Sequence, residues 1–268
     1  MADTTATTNR IVLLGLCHRD VFLDHRIPYC LDRLRPDIIT YEQNKEECDY
    51  FKKETDEERA SFHEMLRSSS LTVDQQRALI TAFLSQDESI ESIVVEKYAA
   101  EHHIPLFHID EPNLEQNNFL IMYVKDHYSS MMRQLKEGFK PGSLLDDVLT
   151  MVKEKGLVAA LQEKNMNYDL IYEGLALHFR GGNLSTKEEK DYQLGLASGH
   201  LGNLDKKISL KIRDVMVDGK RVVHIGGAGH FVDRPLTLYH NLREFEPKRF
   251  VIHPQWFDRM IESNLKSE

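Results

Sequence analysis

Two histidines stand in the same local setting at opposite ends of the chain. Ile11-Val12-Leu13-Leu14-Gly15-Leu16-Cys17-His18 and Val222-Val223-His224-Ile225-Gly226-Gly227-Ala228-Gly229-His230 are each a β-type apolar run that breaks at glycine and delivers a histidine three residues later. Glycine permits a sharp turn and leaves space beside the backbone because it carries no Cβ. A single Gly-x-x-His reads as turn chemistry with a surface histidine. Two of them, more than 200 residues apart, predict that the fold brings both imidazoles to one edge of a sheet, where a single ligand or metal can meet both.

Other polar residues follow the same rule. Glu42 closes the apolar run Ile38 to Tyr41, His108 and Asp110 close Ile104 to Ile109, and His253 follows Lys248 to Ile252. Ligands of open α/β folds bind beyond the carboxyl ends of parallel strands. His18, Glu42, His108, Asp110, His230 and His253 are therefore all placed at that edge. An imidazole ligates a divalent metal or takes a proton from water, and a carboxylate orients that imidazole or serves as the base. Two histidines and one carboxylate (His18, Glu42, His230) also satisfy a catalytic metal that keeps water in its open position. Glu42 has a competing role, because a carboxylate at a strand end often caps the next helix. Cys17 is not expected to act with His18, since neighbours in an extended segment point opposite ways.

The elements that must position these residues are a strand, helix, strand unit at the start, a long charged helical middle, and strands again near the end. Residues 22 to 35 carry apolar side chains at helical spacing, with Pro28 either kinking that helix or occupying its first turn. Helices are predicted over Gln75 to Leu84, Ile90 to Ala100, Leu114 to Glu137, Leu144 to Lys155, Leu157 to Glu163, Asp169 to Phe179, Lys187 to Ala197, Leu204 to Val217 and about Trp256 to Leu265. No Pro, Gly or Ser tract marks a linker. The expected fold is one α/β domain over 1–268, its central sheet built from N- and C-terminal strands with a helical insertion over about 55–215.

Composition bounds the partners. The net charge of −9 offers no basic field for nucleic acid. No apolar run approaches the roughly 20 residues of a membrane helix. Three cysteines without CxxC spacing fit a reducing compartment. The expectation is a soluble, cytoplasmic protein that binds neither nucleic acid nor membrane.

Taken as a set, the motifs carry a resemblance. Leu14-Gly15-Leu16-Cys17-His18, Arg35-Pro36-Asp37-Ile38-Ile39-Thr40-Tyr41-Glu42, and Ile212-Arg213-Asp214-Val215-Met216 followed by Val223-His224-Ile225-Gly226-Gly227-Ala228-Gly229-His230 resemble in order and spacing the superfamily of TraB/PrgY, Tiki, GumN, the erythromycin esterases and ChaN. The likeness spans about 30 residues at each end. It implies a cavity ringed by a first GxxH, a strand-ending glutamate, an arginine on a helix and a second GxxH, which adds Arg213 as a group for oxyanion charge. Members similar to Tiki are metal-dependent peptidases, those similar to the erythromycin esterases hydrolyse esters through histidine and glutamate, and ChaN-like members bind haem. The chain departs from the TraB pattern at His108-Ile109-Asp110-Glu111, where no arginine follows the aspartate.

Two readings result. The first is a hydrolase of a peptide, amide or ester bond in a small-molecule or peptide substrate, with His18, Glu42, Arg213 and His230 catalytic and His108, Asp110 and His253 contacting substrate. A divalent metal (Mn²⁺, Co²⁺ or Zn²⁺) on His18, Glu42 and His230 is one form of that site. The second is a non-catalytic protein that holds a metal, haem or small ligand in the same cavity.

Overall fold

A computed structural model describes residues 11–18, 20–84, 89–110, 114–198, 202–217 and 219–252. The chain opens with β1 (Ile11–Leu16), α1 (Leu23–Leu34) and β2 (Ile38–Tyr41). The helices α2 (Lys45–Arg67), α3 (Val73–Leu84) and α4 (Ser89–Glu101) follow, then β3 (Leu106–His108). Next come α5 (Leu114–Glu137), α6 (Leu144–Lys155), α7 (Leu157–Phe179), α8 (Thr186–Ser198) and α9 (Asn203–Val215). The last described elements are β4 (Val222–Gly227), α10 (Leu238–Asn241) and β5 (Lys248–Val251).

The five strands form one sheet in the order β3-β2-β4-β1-β5, and every pairing is parallel. This is an α/β fold whose sheet joins strands from both ends of the sequence around a helical insertion. β1 and β4 are buried along their whole length, which explains why they are continuous apolar runs and do not alternate. Val12, Leu14, Leu16, Val223 and Ile225 pack into the large core beneath the helical insertion. Ile11 and Leu13 face the other way, against Ile208 and Ile212 of α9. Helices therefore pack on both faces of the sheet.

Several expected elements differ in the structure. The two helices predicted over Leu157 to Glu163 and Asp169 to Phe179 are the single helix α7. The polar Asn165 interrupts the apolar pattern there, yet it is fully buried and bonded to the amide of Val21. The insertion begins earlier than residue 55, with α2 capped by Asn44, whose side chain accepts from the amides of Glu46 and Glu47. It is also interrupted by β3. Pro28 lies inside α1, which forgoes one backbone hydrogen bond there. The predicted terminal helix falls outside the described residues. Among the described residues no helix is long and apolar enough to cross a membrane.

Candidate functional site

The carboxyl edge of the sheet collects side chains from strands and helices alike. His18 lies just beyond β1, Glu42 just beyond β2, and His230 in the 3₁₀ turn Ala228–Phe231 that follows β4. α4 leads into β3 and α9 into β4, so both helices run against the strands and begin at this edge. Each carries a buried carboxylate at its third position, Glu91 in α4 and Asp205 in α9. A carboxylate is favoured in the first turn of a helix, where amide dipoles leave partial positive charge.

Each imidazole is held through Nδ1 by one of these carboxylates. His18 Nδ1 lies 3.0 and 3.1 Å from the two Glu91 oxygens, and Tyr41 Oη donates to Glu91 Oε2 at 3.4 Å. His230 Nδ1 lies 2.6 Å from Asp205 Oδ1. Glu42 stands between the rings: its Oε2 accepts from the amide of Gly227 at 2.7 Å, and its Oε1 is 3.4 Å from His18 Nε2. The His18 side chain is 46 % exposed and that of Glu42 13 %, so the site opens to solvent on the His18 side.

The glycines of the two motifs make this approach possible. A Cβ added at Gly227 would stand 3.1 Å from His18 Nε2, 3.3 Å from His230 Cδ2 and 3.7 Å from Glu42 Oε1. Both imidazoles and the carboxylate therefore converge on one point. At Gly226 a Cβ would come within 2.4 Å of Glu42 Oε2, and at Gly15 within 2.8 Å of Ala228 Cβ. The glycine of the first motif admits the turn of the second, and the glycines of the second admit Glu42 and His18.

Local charge sets the protonation of the rings. Burial pulls the pKa of His230 down, but the Asp205 hydrogen bond and charge, with Glu42 behind them, outweigh burial and hold it above the ordinary histidine value. His224, fully buried on β4 with Nδ1 3.1 Å from Thr40 Oγ1, is pushed down to about 3 by burial and by the charge of His230. It stays neutral. Burial, with the negative charge of Asp20, pushes the Cys17 thiol up to about 12, so Cys17 supplies no thiolate nucleophile.

The remaining candidates among the described residues make other contacts. Arg213 does not join the site, which corrects the expectation drawn from the motif order. It lies eight residues beyond Asp205 on α9, or about 12 Å along the axis, toward the opposite edge of the sheet. Its guanidinium donates to the Asn241 carbonyl at 2.7 Å, pairs with Glu244 at 2.9 Å and covers the Phe245 ring. His108 ends the edge strand, packs edge-on to Tyr41 and lies 3.3 Å from Glu96 Oε1, where it lines a cavity of about 700 Å³ with Lys45, Glu96 and Phe107. The Asp110 carbonyl accepts from Asn44. His253 is outside the described residues. Glu91 and Asp205 were not singled out in the sequence. Their signal was an acidic residue in the first turn of a helix that leads into a parallel strand.

The donor chemistry suits a divalent cation, because a ligating histidine usually has its other ring nitrogen fixed by a carboxylate, as both imidazoles do here. Among the described residues, however, no group of three or more His, Cys, Asp or Glu side chains has the arrangement of a metal site. The chain matches no protein family, no curated protein and no solved structure.

Proposed function

We propose that this chain is a hydrolase of a peptide, amide or ester bond and that His18, Glu42 and His230 carry the reaction. The observation behind this reading is the convergence of two carboxylate-anchored imidazoles and Glu42 on the space beside Gly227. Glu42 Oε1 takes the proton of a water whose oxygen attacks the carbonyl carbon. His230, favoured as imidazolium by Asp205, gives its Nε2 proton to the leaving oxygen or nitrogen as the bond to carbon breaks. His18, between Glu91 and Glu42, orients the base and carries its proton onward. The Gly227 amide keeps Glu42 Oε2 occupied, so Oε1 is the working oxygen.

The anchored Nδ1 atoms favour a second form of the same site. In it, His18, Glu42 and His230 would hold Mn²⁺, Co²⁺ or Zn²⁺, which would supply Lewis acidity and an acidified water. The resemblance to the Tiki and erythromycin esterase groups fits either form. The test is a screen of ester and peptide libraries with each metal and without any. Wild type should cleave a member of one library, and Glu42→Gln should lower turnover at least roughly 10²-fold with binding retained. If the wild type cleaves nothing, or Glu42→Gln cleaves as well as wild type, the cavity is a binding site and the hydrolase reading fails.

A further inference from the structure

Helix α7, deep in the insertion, grips the loop that carries His18. The amide of Cys17, just before the histidine, donates to Tyr172 Oη at 2.9 Å. The amide of Val21, three residues after it, donates to Asn165 Oδ1 at 3.0 Å. Tyr172 and Asn165 are both fully buried, and both belong to α7. Tyr172 Oη in turn donates to Asp20 Oδ2 at 3.0 Å, where Arg26 also donates at 2.7 Å. Arg26 and the Asn165 amide both reach Asp169 Oδ1, at 3.1 and 2.9 Å.

A buried polar network of this kind is a poor source of stability compared with apolar packing of the same volume, because its groups must be desolvated. Its directional bonds do fix a geometry. The His18 ring is half-exposed, and the backbone that carries it is tied to α7 on both sides, at Cys17 and at Val21.

We propose that Tyr172 and Asn165 are positioning residues for His18, and that α7 thereby sets where the first imidazole meets Glu42. The inference rests on His18 being a working group of the proposed site, but its test needs no turnover. Long-range ¹H–¹⁵N spectra report the ring nitrogens of His18 and His230, assigned through His18→Gln and His230→Gln. Tyr172→Phe, which removes one hydroxyl, should shift the His18 nitrogens and leave those of His230 in place. If neither ring responds, the positioning role is wrong. If both respond, the network supports packing in general and the proposal is equally overturned. Should Tyr172→Phe fail to fold, Asn165→Ala gives the same readout from the Val21 side. Loss of the His18 geometry in a protein that cleaves no substrate would sustain this inference while the hydrolase reading falls.

Discussion

His230 and Asp205 lie 25 residues apart in sequence and 2.6 Å apart between Nδ1 and Oδ1. The pair ties the turn after β4 to the first turn of the helix that precedes the same strand. With Asp205→Asn the ring loses the charge that outweighs its burial, so the His230 pKa should fall below the wild-type value. A Cε1 proton titration checks this, and an unmoved titration would show that Asp205 does not control His230.

The glycines separate packing from function. Gly15→Ala forces a Cβ to 2.8 Å from that of Ala228 and should cost about 1–3 kcal/mol, as overpacking does. Gly227 has φ −57° and ψ 127°, so alanine fits its backbone without strain. Its Cβ would instead fill the meeting point of His18, His230 and Glu42. Gly227→Ala should therefore melt near the wild-type temperature while displacing the His18 and His230 ring resonances.

Acid should weaken the fold through two buried histidines. His224, at about 3, has a folded pKa far below 6.5, and that of His178 is also lowered, by burial first. His178 accepts from the Asp233 amide at Nε2 while Nδ1 faces the Gly182 carbonyl, which leaves no room for a second ring proton. Below pH 6.5 the unfolded chain binds protons that these rings refuse. Stability then falls as pH drops, by up to roughly 1.4 kcal/mol per pH unit for each ring. His230, with its raised pKa, works in the opposite sense: its contribution is complete below pH 6.5 and is lost as pH rises through its folded value. Urea unfolding at pH 7 and pH 5 should show the acid loss, reduced in His224→Leu.

A metal should reveal itself without any substrate. If His18, Glu42 and His230 bind Mn²⁺, Co²⁺ or Zn²⁺, the metal at about 100 times its Kd should stabilise the fold by roughly 2.7 kcal/mol. His230→Ala should abolish that gain. Equal melting temperatures with and without each metal would favour the metal-free acid and base pair.

Arg213 tests the expectation that the structure corrected. Its partly exposed pair with Glu244 and its bond to Asn241 belong to the far edge of the sheet. Arg213→Ala should cost no more than about 1 kcal/mol and leave the His230 titration unchanged. A displaced titration would return Arg213 to the site.

The strand ends were legible because each motif combines an apolar run with a glycine or a terminal carboxylate, a pattern local to a few residues. His18, Glu42 and His230 follow from that pattern. Glu91 and Asp205 were less visible, because first-turn acids read as helix caps until the helix direction is known. Arg213 entered the expected site only through the motif resemblance, and its helix runs away from the edge that Asp205 faces. The continuity of α7 was hidden for a different reason, since the buried polar Asn165 at its middle is spent on a loop about 140 residues away.

The strand order also governs when the sheet can close during synthesis. β1 has only β4 and β5 as neighbours, so it pairs with nothing until the ribosome has passed residue 221. β2 waits likewise on its inner side. Pairings this distant in sequence slow folding, because the chain must be looped closed before the contact contributes. A chain cut short before β4 would hold two buried-type apolar strands with bare hydrogen-bonding edges, the form most open to pairing with another molecule. Completion of the site and pairing of the inner strands thus both wait on β4 and the turn after it that carries His230, Val222 to Phe231.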